Sequence, residues 1–241
     1  MIIYIQKDNS EMPLFDACQV IYEQCCFHNI PFKFFKAYDI NFINMSREDI
    51  IVGSVEMTRN FILNKIDKNF KFIDTYPQDL DSFYGRGINR IKLKDYKEGN
   101  FIKPVENKIF DGGIRSINEI CLETGISKEE FNSSEIECYS CKKINKILVE
   151  YRCFVYNKEL VGIQYYSGDF KQRISLGFVK KAVDSFKSQP IAYCIDVALV
   201  NDNGWLKHII VEVNDLLSSG TYGFSYKLLD MYISRFKEIR N

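Results

Sequence analysis

Asp196, Glu212 and Asn214 are the residues of this chain whose types and spacing first suggest chemistry. They fall in AYCIDVALVNDNGWLKHIIVEVND, residues 192–215, where two apolar runs flank the turn signal Asn201-Asp202-Asn203-Gly204. Such a turn folds the second run back antiparallel onto the first. Residues two apart in a strand share a face. Glu212 and Asn214 therefore project together, while Ile209, Val211 and Val213 are expected on the other side, in a core. Asp196 can lie opposite the Glu/Asn pair. Two carboxylates and an amide oxygen, with positions left for water and phosphate, are hard ligands of the kind Mg²⁺ takes in nucleotide sites. Read without its surroundings, Glu-x-Asn equally describes an ordinary hairpin with acidic residues on its wet face.

Cations that could meet phosphate lie upstream. Lys103 sits in FIKP, residues 101–104, and Arg152 in VEYRCFV, residues 149–155, on the same strand face as Glu150. Alone, Lys103 reads as a solvated lysine before a proline turn and Arg152 as half of a strand-surface ion pair. Asp111-Gly112-Gly113 reads as a tight turn whose glycines let backbone N–H groups approach an anion.

The elements that must position these residues follow from periodicity. Residues 1 to about 75 alternate strand and helix. MIIYIQ is a strand, then a helix runs from about Leu14 to His28. PFKFFKAY and DIIVGS are strands, followed by a helix from about Val55 to Lys65 and a strand near FKFID. This alternation predicts a small parallel sheet with covering helices. Residues 76 to about 99, with Pro77, Gly85, Gly87 and Gly99, form a crossing. Helices are expected near Ser116–Glu123, from Leu176 to Ser188 and from Tyr222 to Ile239, with a hairpin turning at Asn157-Lys158.

Composition bounds the function classes. In 241 residues, 46% hydrophobic and 15% aromatic, the chain can bury a full core. With 32 basic and 32 acidic residues there is no broad nucleic-acid-binding surface. No apolar run reaches membrane-spanning length, and MIIYIQKDNS has neither a basic region nor a cleavage site. The expected location is the cytoplasm, of a bacterium or of an infected host. Eight cysteines include Cys138 and Cys141, but only His28 and His208 are present and no second spaced pair exists. A structural zinc site is not expected, and the thiols should be reduced.

Taken in order, these segments resemble the ATP-grasp superfamily from about Tyr84 to the C terminus. FIKP resembles its lid strand, ENKIFDGG (residues 106–113) its phosphate-covering loop, VEYRCFVYNKELVGIQYYSG (149–168) its E-x-R hairpin, and SSGTYG (218–223) its acceptor loop. The chain is most similar to short ATP-grasp proteins of phages and bacteria with K-P, E-Y-R and E-V-N-D motifs. The resemblance implies an α/β (α+β) ATP-grasp fold. It comprises a Rossmann-like pre-grasp domain at 1–75 and an ATP-grasp domain at 76–241, with the lid at about 100–143 and a larger lobe at about 144–241.

It also implies an ATP-dependent carboxylate–amine ligase that passes through an acylphosphate and releases ADP. Its cofactors would be ATP with two Mg²⁺ (or Mn²⁺) ions held by Asp196, Glu212 and Asn214. Arg86, Lys103 and Arg152 would hold phosphates, with Arg152 and Lys103 catalytic. Backbone groups of Tyr139, Ser140 and Cys141 would meet adenine, and Ser218, Ser219 and Gly220 the acceptor. The partners implied are ATP, a carboxylate and an amine (amino acid, peptide or protein terminus), with no membrane or nucleic acid. Two departures matter. Arg86 stands where many relatives have lysine, with Arg90 as the fallback, and no arginine lies between Ile163 and Gly168. The second keeps a non-catalytic nucleotide-binding or scaffold protein as the alternative. A lysine-adenylating nucleic-acid ligase needs K-x-D-G, and Lys108-Ile109-Phe110-Asp111-Gly112 is one residue too long.

Overall fold

The computed structural model describes residues 1–39, 44–106, 109–144 and 146–241, which build three sheets. The first is parallel, in the order β2-β1-β3, from β1 (Ile3–Gln6), β2 (Phe32–Phe35) and β3 (Ile50–Val52). β1 is buried along its whole length, as a strand covered on both faces must be. Helix α1 (Asp16–His28) buries Ala17, Cys18, Ile21 and Cys25, an apolar stripe at helical spacing. It stops at Asn29, whose left-handed backbone turns its N–H onto the Cys25 and Cys26 carbonyls. Helix α2 (Val55–Phe61) starts where the Ser54 side chain accepts the Met57 N–H, and it runs into a π-helical turn at Ile62–Ile66.

The strand expected near FKFID does not form. Phe70 and Phe72 alternate like a strand, but they pack as side chains against the N-terminal core while the parallel sheet closes at β2 and β3. The segment instead reaches across to the far end of the chain, where Val213 N–H donates to the Thr75 carbonyl.

The second sheet is antiparallel, β4-β7-β5-β6, from β4 (Ile88–Lys92), β5 (Phe101–Pro104), β6 (Gly113–Ile114) and β7 (Glu137–Cys141). β4 arises inside the stretch read as a crossing. Helices α3 (Ile117–Thr124) and α4 (Lys128–Asn132) each open with a capping box, Ser116/Glu119 and Ser127/Glu130. Ile102, Ile120, Phe131 and Cys138 form the core they share with this sheet.

The third sheet, β11-β10-β8-β9, is antiparallel and carries the longest strands: β8 (Lys146–Tyr156), β9 (Glu159–Gly168), β10 (Ala192–Asp202) and β11 (Trp205–Asp215). Its two hairpins turn at Asn157-Lys158 (φ 52° and 64°) and Asn203-Gly204 (φ 54° and 94°), where left-handed conformations match strand twist. One face packs under α5 (Leu176–Ser185) through Cys153, Val155, Ile195, Val197, Ile210 and Val213. The other face is graded. Phe154, Ala192 and Cys194 join the N-terminal core and α6 (Leu228–Arg240), charged residues occupy the middle, and Ala198, Val200 and Ile209 form an apolar patch beyond. α6 begins later than expected because Tyr222, Gly223 and Lys227 all adopt positive φ.

A bulge corrects one expected facing. Asp196 pairs with Glu212 but Val197 pairs with Ile210, so Val211 is an extra residue in β11. Ile210 therefore takes the place beside Val213 in the core, and Ile209 moves to the Glu212 side with Ala198 and Val200. All eight cysteines are free, and no helix among the described residues is long and apolar enough to cross a membrane.

Candidate active site

The middle of the graded face brings Arg152, Asp196 and Glu212 into one row across β8, β10 and β11, each the register partner of the next. Arg152 grips Asp196 with both arms of its fork, Nε to Oδ1 at 2.8 Å and Nη2 to Oδ2 at 2.7 Å. Asp196 is 1% exposed. Burial pushes its carboxyl up and Arg152 opposes that. Burial wins for Asp196, whose carboxyl is raised on balance, while the same contact raises Arg152 above its ordinary value against its own burial. The remaining arm of Arg152 donates to the Gly220 carbonyl at 3.2 Å. The rings of Tyr222 and Tyr166 flank the guanidinium at 5.1 and 5.5 Å.

Glu212 is reached from the second sheet. Lys103 on β5 extends its Nζ to 2.5 Å from Glu212 Oε2. Against the penalty of burial, that ammonium group holds the Glu212 carboxyl below its ordinary value. Gly112 packs on the lysine stem: a Cβ there would stand 3.1 Å from Lys103 Cβ and Cγ. This close approach explains a glycine in the loop over Lys103. Residues 107 and 108 of that loop lie outside the described residues. Asn214 Nδ2 donates to Glu212 Oε1 at 2.9 Å and to Asp196 Oδ2 at 3.2 Å.

Asp196, Glu212 and Asn214 are thus brought together, with the amide nitrogen of Asn214 turned towards the acids. Among the described residues no group of three or more His, Cys, Asp or Glu side chains is arranged to hold a metal ion. The donor set nonetheless suits a hard cation, because carboxylates crowd together here with an amide beside them. Glu150, buried two residue pairs along the sheet, adds a third carboxylate to Asp196 and Glu212. Burial, then the charges of Asp196 and Glu212, push its pKa up to about 7. A divalent cation at Glu212 and Asn214, with the Asn214 amide rotated to present oxygen, would offset the repulsion among these carboxylates.

Two cavities border β11 at its inner end. One of about 790 Å³ is lined by Lys103, Glu212 and Glu150, with Arg86, Arg115 and Lys142 around it. The other, about 560 Å³, has Asn214 in its wall. Glu212 faces the first and Asn214 the second.

Other expected site residues are placed differently from one another. Arg86 lines the larger cavity, but its donors go to carbonyls: Nη1 to Tyr84 and Ile210, both at 3.0 Å, and Nη2 to Val211 at 2.9 Å. Arg90 pairs with Glu137 at 2.6 Å. Arg152 lines neither cavity. Tyr139 turns its hydroxyl onto Asp74, whereas Cys141 lines the larger cavity and Ser140 a neighbouring one of about 650 Å³. Ser219 Oγ donates to the Asp215 carbonyl at 2.9 Å, Gly220 accepts from Arg152, and the Ser218 side chain lies outside the described set. Sequence reasoning passed over Arg115 and Glu150 as site residues. Glu150 carried a signal, a second charge on the Arg152 face of the otherwise apolar VEYRCFV run.

The sequence profile of an ATP-grasp domain family, the second family of its clade, matches residues 83–229. No curated protein sequence matches. Among solved structures, the D-cycloserine synthetase DcsG aligns over 99% of this chain and 100% of its own, with TM-score 0.60 and 10% identity. A RimK domain ATP-grasp protein from Sphaerobacter thermophilus aligns over 100% and 99%, with TM-score 0.54 and 10% identity. The ATP-grasp ligase PsnB, solved with a variant of its minimal precursor, Mg and ADP, aligns over 98% and 97%, with TM-score 0.51 and 11% identity. At these identities the likeness is one of fold.

Proposed function

Because the chain belongs to this ATP-grasp domain family, we propose that it is an ADP-forming carboxylate–amine ligase. In this reading residues 1–75 are a pre-grasp domain and 76–241 the ATP-grasp domain. ATP lies in the larger cavity between the second and third sheets, its terminal phosphate at Lys103 and Glu212. The substrate carboxylate attacks that phosphate from the adjoining cavity, giving an acylphosphate and ADP. An amine then displaces phosphate to form an amide. The observation that carries this reading is that Glu212 lines one cavity and Asn214, two residues on, the other.

Each residue has a physical task. Lys103 neutralises charge on the transferring phosphoryl group. Asp196, Glu212 and Asn214 would hold magnesium, which supplies further positive charge at the phosphate oxygens. Arg152 keeps Asp196 ionised and fixed, and Arg86, tied to three carbonyls, braces the cavity wall and presents its charge along it. Ser218, Ser219 and Gly220 border the acceptor. No protein nucleophile is needed.

Two observations favour a second reading, nucleotide binding without turnover. Arg86 and Arg152 are both engaged by internal partners, and no arginine lies between Ile163 and Gly168. Calorimetric titration of MgATP into wild type and Glu212→Gln, followed by an ADP assay with pooled amino acids and short peptides, separates the readings. Magnesium-dependent binding weakened in the variant, with amine-dependent ADP release, supports the ligase. Binding without ADP supports the second reading, and AMP as product would point to an adenylating enzyme instead.

A further inference from the structure

The cavity of about 560 Å³ takes its walls from all three parts of the fold. Arg59 comes from α2, Lys71 and Phe72 from the segment after it, Arg90 from β4, Glu106 from the loop after β5, and Asn214 from β11. Its volume is that of a small-molecule pocket, about 300–1,000 Å³. Arg59 and Lys71 precede residue 83, where the family match begins, so family membership does not account for them.

Arg59 is the conspicuous group. Its guanidinium carbon stands 3.8 Å from the centroid of the Phe72 ring. That stack fixes the plane of the fork and leaves its edge donors unused. The side chain makes no hydrogen bond or ion pair with any described residue. Most other charges around the cavity are already engaged. Arg90 pairs with Glu137, Asp74 accepts the Tyr139 hydroxyl at 2.5 Å, and Asp215 is gripped by Arg235. Two acids act electrostatically on Arg59, Asp215 the more strongly and Glu106 less; with Asp215 held by Arg235, what is left in the cavity wall is Arg59, Lys71 and Glu106. A planar, half-buried cation with free donors suits a carboxylate, and an acid close to it suits an ammonium group on the same small molecule.

We propose that this cavity binds a free α-amino acid, its carboxylate on the fork of Arg59 and its ammonium group towards Glu106, beside Asn214. Binding itself follows from the cavity. That the bound amino acid is then a ligase substrate rests on the reading above. Arg59 is thereby a specificity-determining residue supplied from outside the matched ATP-grasp segment.

The test is saturation-transfer NMR on the full chain with the twenty standard α-amino acids, with and without magnesium and a non-hydrolysable ATP analogue. The acid showing the strongest transfer is then titrated into wild type, Arg59→Gln and Arg59→Lys, beside its α-carboxamide and N-acetyl analogues. In wild type, at least one amino acid is expected to bind at least tenfold more tightly than its carboxamide. Arg59→Gln loses that tenfold preference, Arg59→Lys regains part of it, and the affinity for the ATP analogue stays within twofold in both. Thermal melts show that the variants are folded. If none of the twenty binds under either condition, or if Arg59→Gln keeps the preference for the acid, the inference is overturned. Failure of the ATP analogue to bind wild type would overturn the ligase reading alone, because the amino-acid titration is read without nucleotide as well.

Discussion

Lys103 and Glu212 stand on different sheets, β5 and β11, and meet at 2.5 Å between Nζ and Oε2. Among the described residues theirs is the one ion pair that joins the second sheet to the third. The contact puts the lysine's charge at the boundary of the larger cavity and lowers the Glu212 pKa. If the proposed function holds, an entering phosphate would compete with Glu212 for Lys103 and an entering cation with Lys103 for Glu212, and the pair would be holding the two sheets in place of those ligands.

Lys103→Met is therefore expected to weaken MgATP binding about 10- to 100-fold, or about 1.4–2.8 kcal/mol. The stability cost should be only about 1 kcal/mol, because both side chains keep a fifth or more of their surface in water. Calorimetry and urea denaturation on the same preparations check both halves. A stability loss as large as the binding loss would mean that the lysine is structural.

Removing one partner of the Arg152–Asp196 pair should be far more costly. Asp196→Ala leaves a buried guanidinium uncompensated, at about 3–5 kcal/mol. Arg152→Met together with Asp196→Leu removes both charges and should recover a large part of that loss. Urea midpoints for the three proteins decide. Equal destabilisation in the single and double variants would count against an ionised pair.

Glu150 sets a pH dependence. Its folded pKa of about 7 lies above the ordinary value of 4.5. The folded state thus binds the proton more tightly than the unfolded state. The associated stability is fully present below about pH 4.5, falls as pH rises, and is lost above about pH 7. The full span is of order 3 kcal/mol. Glu150→Gln should flatten this decline and be the more stable protein at pH 8. Denaturation curves for both proteins at pH 5, 6, 7 and 8 measure it. Parallel curves would show that Glu150 does not titrate in this window.

Gly162 tests the packing of the loop that follows the Glu-x-Asn strand. A Cβ there would lie 2.3 Å from the Phe224 ring, which is stacked on Phe154 at a centroid distance of 4.1 Å. Gly162→Ala must displace Phe224 and should cost about 1–3 kcal/mol by overpacking. Adding Phe224→Leu should relieve part of it, and thermal melts of the single and double variants show whether it does.

Much of this arrangement was legible in sequence because it is local. Asn203-Gly204 and Asn157-Lys158 declared both hairpins, and Glu212-Val213-Asn214 declared two polar residues on one face. Non-local choices were not legible. Nothing near FKFID reveals that the parallel sheet is already complete without it. The alternation of Ile209, Val211 and Val213 hides the bulge, which exists only relative to β10. Arg152 could be read as a charge on a strand, but its commitment to Asp196 depends on the β8–β10 register. Arg59 reads as one more helix-surface arginine until Phe72 is laid against it.

The bulge at Val211 has a consequence for β11 as a whole. A strand of strict alternation could offer Glu212 and Asn214 to the charged row only by turning Ile209 into the opposite core. The extra residue resets the phase between the two halves of the strand. The outer half shows the cleft an oily surface at Ile209, and the inner half shows it acids and amide. Deleting Val211 would rejoin the ladder without a gap and leave both halves facing as they do, because Asp196 and Val197 already pair with Glu212 and Ile210. In this sequence it is the bulge alone that puts Ile209 and Glu212 on one side, an apolar patch in line with a charged row.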